Sequence, residues 1–130
     1  MKNLDKEFQE IVGEYLLRHR SILDVLTKLQ VSSGEVNRAV AKAVTQCGCI
    51  KIKANKQKIP PNINLEEAKE YLSSHLEGQL CNNCRETIST EMGEALFYLT
   101  ALCVLLDLDL HQIIKQEKEK ISTLRIFSLT

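Results

Sequence analysis

Twelve consecutive residues, Ala95 to Leu106, carry no charge, and no other apolar stretch of the chain is as long. A membrane-crossing helix needs about 20 such residues, so the run reads as a helix buried at the centre of a helical bundle. Turn residues are scarce: two prolines and five glycines in 130 residues. Such a chain favours few, long elements over many short strands. With no tryptophan and 5% aromatic residues, the core must be mainly aliphatic. The length suits one domain burying about two thirds of its unfolded surface.

Helical spacing of Phe8, Ile11, Val12, Tyr15 and Leu16 predicts a first helix over residues 4–19. Ser21 caps a second, whose stripe of Ile22, Leu26, Leu29, Ser33, Val36, Val40 and Val44 runs to Cys47-Gly48. Ser32, Ser33 and Gly34 invite a bend midway. Ile50 and Ile52 alternate with Lys51 and Lys53 as in a short extended piece, and Pro60-Pro61 exclude helix there. Residues 47–63 therefore form a basic connecting loop carrying cysteines, between residues 1–46 and a helical segment over 64–130. Asn64 and Glu67 form a capping pattern that opens a third helix to Leu76. A fourth spans Arg85 to Leu106, and Asp109, with Gln112 three residues on, caps a fifth to Leu124. The expectation is a single all-α domain, a bundle of about five helices.

The charge is zero overall but uneven. Residues 1–60 hold 11 Lys/Arg against 6 Asp/Glu, and residues 61–130 hold 6 against 11. Halves of about +5 and −5 could attract within the fold or across an oligomer interface. A net-neutral chain makes a poor general nucleic-acid binder. The N-terminus, MKNLDKEFQEIVGEYLL, is charged and amphipathic, unlike a signal peptide. Together these predict a soluble, cytoplasmic protein with no membrane span and reduced thiols.

Two constellations carry chemistry. The first is acidic: Glu66, Glu67 and Glu70 on the third helix, Glu91 and Glu94 on the fourth. Carboxylates three and four apart share a helix face, and two such helices packed antiparallel would gather the oxygens that Mg²⁺ or Mn²⁺ prefers. Against this, Glu66, Glu67 and Glu70 lie opposite Leu65, Leu72 and Leu76, where a solvated face belongs. Glu91 and Glu94 continue onto Tyr98, Ala101 and Leu105, a line that leads toward the bundle interior.

This acidic pattern resembles the MazG-type all-α nucleoside triphosphate pyrophosphohydrolases. Their motif is E-E-x-x-E, a spacer, then E-x-x-D. Here Glu66-Glu67-Ala68-Lys69-Glu70, 20 residues, and Glu91-Met92-Gly93-Glu94 fit it, with Glu94 standing where the family has aspartate. The resemblance covers residues 64–123 and implies Mg²⁺-dependent cleavage of a nucleotide to its monophosphate and pyrophosphate. It would make Glu67, Glu70, Glu91 and Glu94 metal ligands and give Glu66 a water to orient. Lys51 and Lys53, with Lys56 and Lys58, would meet the phosphates; read alone, they are a solvated lysine run. A homodimer is expected on the same resemblance, and because the fourth helix has more apolar sides than one chain can cover.

The second constellation is Cys47-x-Cys49 and Cys81-x-x-Cys84, two close pairs separated by 31 residues. Both fall in predicted turns at helix ends, where thiolates can converge on one ion. Four of them make a zinc site or an iron–sulfur site. Four free thiols, or a redox pair in the Cys81-Cys84 segment, are the other readings. His75 is a substitute ligand, Cys103 a packing residue, and His19 and His111 surface residues without partners. The functions expected are a divergent pyrophosphohydrolase or a non-catalytic, metal-bearing interaction module.

Overall fold

Amphipathic periodicity governs most of the chain. A computed structural model describes residues 3–16 and 20–128. In order these form α1 (Leu4–Tyr15), α2 (Ile22–Lys42), a π-helical turn (Ala43–Cys47), β1 (Ile50–Ile52), α3 (Leu65–Ala68), β2 (Leu76–Gly78), α4 (Asn82–Leu105) and α5 (Leu110–Ser128). The expected predominance of helix holds, with a two-stranded antiparallel sheet added to it. His19 and its neighbours Leu17 and Arg18 lie outside the described residues.

α4 is the central strut. α2 packs along it most extensively and α1 packs beside them. Val12, Leu16, Val25 and Ala101 form one core among these three helices, flanked by Phe8, Phe97 and Leu105. Tyr15 and Phe97 meet edge-to-face with ring centroids 5.5 Å apart, a favoured aromatic geometry. A second, smaller core of Ala43, Ile50 and Ile88 joins the π turn and the sheet to the first half of α4.

Four expectations need correction. α2 runs unbroken through Ser32-Ser33-Gly34, because Ser32 is buried and its hydroxyl donates to the Leu29 carbonyl without interrupting the helix. The third helix stops after one turn instead of reaching Leu76. Turn bonds from Glu70, Tyr71 and Leu72 back to Glu67 and Ala68 follow it. Beyond them the Ser73 and Ser74 hydroxyls accept the backbone N–H groups of His75 and Leu76, at 2.9 and 3.2 Å, an alternative to helix that keeps it from reaching Leu76. His111 is no free surface residue, since its Nδ1 lies 2.8 Å from Asp5 Oδ2 and docks the start of α5 on α1. Finally, α4 is not buried throughout its apolar run, for Leu96, Leu99 and Leu106 are about half exposed. By length and composition α4 as a whole, with Glu91 and Glu94 as the charges in its apolar part, is long and apolar enough to cross a membrane.

Candidate metal centre

The end of α2 widens before it terminates. Gly48 N–H reaches back five residues to the Ala43 carbonyl at 2.9 Å, closing a π turn. Such turns are rare and frequent at functional sites. Gly48 then takes φ +78°, a left-handed conformation that glycine adopts without steric cost. The reversal places Cys47 and Cys49 on either side of the corner and delivers the chain into β1.

β1 pairs with β2 in the register Ile50 with Gly78, Lys51 with Glu77 and Ile52 with Leu76. Ile50 turns into the small core while Lys51 and Ile52 stay exposed. The long connection between the strands is tied across itself. The Gln57 side chain donates to the Ser73 carbonyl and accepts the Ser73 N–H, at 3.0 and 2.9 Å, in the manner of a strand partner. His75 Nε2 sits 3.0 Å from the Asn55 carbonyl oxygen, so this imidazole serves the connection and not the thiols.

Strand pairing sets Cys49 against the chain that leads into α4. Cys81 is the N-cap of that helix, and its sulfur accepts the Cys84 N–H at 3.4 Å. Cys47 Sγ and Cys81 Sγ stand 3.7 Å apart. The sulfurs of Cys47, Cys49, Cys81 and Cys84 all lie within 4.8 Å of one another, and four close cysteines so arranged could bind a metal such as zinc. Cys47 is exposed and the other three are half-buried. The expected convergence of the two pairs is therefore seen. Cys103 is buried within α4, as expected of a packing residue.

The four thiols are not equivalent. The Cys84 N–H, with hydrogen bonds from the thiols of Cys84 and Cys47, brings Cys81 down to about 7. Those bonds hold the donors' own protons: Cys84 is pushed up to about 12, first by its bond to Cys81, and Cys47 is raised by the same partner. Without metal, the cluster thus keeps one thiolate at a helix N-terminus near neutral pH. The thiolate is the nucleophile, so metal-free protein should be alkylated first at Cys81, with a rate rising through about pH 7. Iodoacetamide labelling followed by peptide mass mapping checks this. Bound zinc should protect all four positions.

The carboxylates behave differently. Glu66 takes the Lys69 ammonium at 3.3 Å, and Glu67 shares the capping turn with Asn64, whose Oδ1 accepts the Glu67 N–H at 2.8 Å. Both are exposed, as is Glu70, and the one-turn α3 packs substantially on no other helix. Glu91 is half-buried. Glu94 is exposed and lines a groove of about 540 Å³ with Phe8, Ile11, Tyr15 and Phe97. Among the described residues, the cysteines alone form a group of three or more ligand-type side chains gathered closely enough for one ion. Lys51 and Lys53 are exposed, and Lys53 Nζ lies 3.8 Å from Glu77 Oε1 across the sheet.

Sequence reasoning missed β2, the π turn and the Asp5–His111 pair. Convergence of the thiols was the available signal for β2, since two distant cysteine pairs meet only if the chain between them folds back on itself. No family model, curated protein or solved structure matches the chain.

Proposed function

We propose that this chain is a non-catalytic helical interaction module organised by one structural zinc ion at Cys47, Cys49, Cys81 and Cys84. The observation that carries the reading is the gathering of four sulfurs at the junction of α2, the sheet and α4. Zinc bonds thiolate sulfur at about 2.3 Å in a tetrahedron, which puts neighbouring sulfurs about 3.8 Å apart; Cys47 and Cys81 stand at 3.7 Å. An iron–sulfur cluster spreads its four thiolates around two or more irons, wider than this group. A site with four protein ligands is closed, which suits holding structure and leaves no position for substrate.

Zinc at this point clamps the π turn and the sheet to the start of α4, segments otherwise joined by the small core of Ala43, Ile50 and Ile88. Its function is to fix the α2–α4 angle and so the surface that those helices present. The pyrophosphohydrolase reading would need Glu67, Glu70, Glu91 and Glu94 on one ion, and among the described residues these carboxylates form no close group: Glu67, Glu70 and Glu94 are exposed and Glu91 is half-buried.

Elemental analysis of protein purified without chelator tests the proposal. One zinc per chain is expected, and millimolar Mg²⁺ or Mn²⁺ should leave the melting temperature unchanged. Protein that neither retains nor takes up zinc would exclude the reading, and triphosphate cleavage with Mg²⁺ would restore the enzymatic one.

A further inference from the structure

α5 is a helix with little to lean on. Its start is fixed to α1: the Gln9 amide donates to the Leu108 carbonyl and accepts the Leu110 N–H, both at 2.8 Å, and His111 meets Asp5. From Gln112 to Leu124 every residue is exposed. An isolated helix of that length is marginal in water, because nucleation is costly and tertiary packing supplies most helical stability. Yet this segment repeats apolar residues at helical spacing, Ile113, Ile114, Ile121 and Leu124, interrupted on the same face by Glu117.

α4 carries a matching deficit. Met92, Leu96, Leu99 and the C-cap residue Leu106, at steps of four, three and seven, share one side of the helix and are each about half exposed, with Cys103 buried between the last two. These eight side chains are each 41–56% exposed. At 1.5 Å per residue the α4 row from residue 92 to 106 extends about 21 Å and the α5 row from 113 to 124 about 17 Å. Between them they leave on the order of 800 Å² of apolar surface open, which is about the area each partner contributes to a standard interface.

We propose that the chain forms a two-fold homodimer in which α5 of each copy packs on the Met92–Leu106 face of α4 of the other. The turn between the helices, with Asp107 at φ +56°, carries α5 away from its own α4. A second copy offers each stripe a complement of similar length, and two-fold exchange closes with both covered. A closed, isologous contact of this kind is the commonest arrangement among homo-oligomers. The proposal stands on these faces alone, independently of the zinc reading.

Sedimentation of the full chain, from low to high micromolar concentration, should give twice the 14.8 kDa chain mass. Leu99→Asp and Ile121→Arg should each give monomers, with circular dichroism checking that α1–α4 remain folded. Mixed one to one, the two variants should dimerise again, because one joint is then unaltered and the other sets aspartate against arginine. Should either variant lose its fold, Leu99→Ala and Ile121→Ala serve instead, each expected to weaken the dimer by at least about tenfold. A natural chain that stays monomeric would overturn the proposal. So would dimers indifferent to either residue, or variants that remain monomers when mixed. Binding of a monomer to phosphatidylcholine vesicles would overturn it too, assigning the α4 face to a membrane.

Discussion

Chelation of the proposed zinc is expected to lower the melting temperature by more than about 10 °C and to loosen the β1–β2 region first. The small core beneath the thiols rests on Ala43, Ile50 and Ile88, too few side chains to hold the junction unaided. Structural zinc contributes about 10–16 kcal/mol of apparent binding free energy in zinc-finger peptides at neutral pH. Even a fraction of that is large here, since each kcal/mol moves the melting temperature of a chain this size by about 3–5 °C. Cys81→Ser should reduce zinc affinity more than about a hundredfold, because loss of a mere supporting partner already costs about 10–100-fold. Cys103→Ser should retain the metal. Affinity should also fall as the pH is lowered, for the ion must displace the protons held on Cys84, at about 12, and on Cys47. Calorimetry with and without chelator, and a competitive zinc titration at several pH values, measure these effects. Unchanged melting after complete zinc removal would mean that the thiols are not structural.

The same chemistry explains which features were legible in the sequence. Helices with a strong apolar period were visible in advance: the stop of α2 at Gly48, the extended Ile50–Ile52 and the Asp109 start of α5 all stand close to where local signals place them. The thiol cluster was legible because both cysteine pairs sit at helix ends, where turns bring ligands together. α3 was not, since the Asn64–Glu67 cap is real but says only where a helix begins. Past its one turn, the Ser73 and Ser74 hydroxyls hold the chain out of helix and residues 76–78 are captured by β1. That early stop also scatters the acidic motif: E-E-x-x-E gathers metal only on a helix long enough to pack beside another. An uncovered side of α4 was legible in outline, since its apolar sides outnumber what one chain can cover. Composition does not say which side is left open, here that of Leu96 and Leu99.

Gly78→Ala is expected to damage the centre as severely as loss of a ligand, although residue 78 touches no metal. Gly78 has φ +89°, which L side chains rarely adopt, and a Cβ there would stand 2.5 Å from the Cys49 carbonyl oxygen and 3.4 Å from Ile50 Cα. Both obstacles are backbone, so no rotamer change relieves them. Strained backbone of this kind costs about 1–3 kcal/mol at one residue, before any clash. Relief requires β2 to move off β1 at the pair Ile50–Gly78, beside the thiols that the two strands bring together. The two cysteine pairs would then part, and ligand geometry for zinc is demanding. Zinc affinity should fall at least about tenfold, a loss equivalent to about 1.4 kcal/mol, with the melting temperature dropping in the zinc-loaded protein. Gly34→Ala makes the control: a Cβ there meets nothing within 4 Å, and alanine in a helix interior is favoured over glycine by about 1 kcal/mol. That variant should melt slightly higher with unchanged zinc binding. Equal zinc affinity in Gly78→Ala and the natural chain would show that the sheet does not position the cysteines.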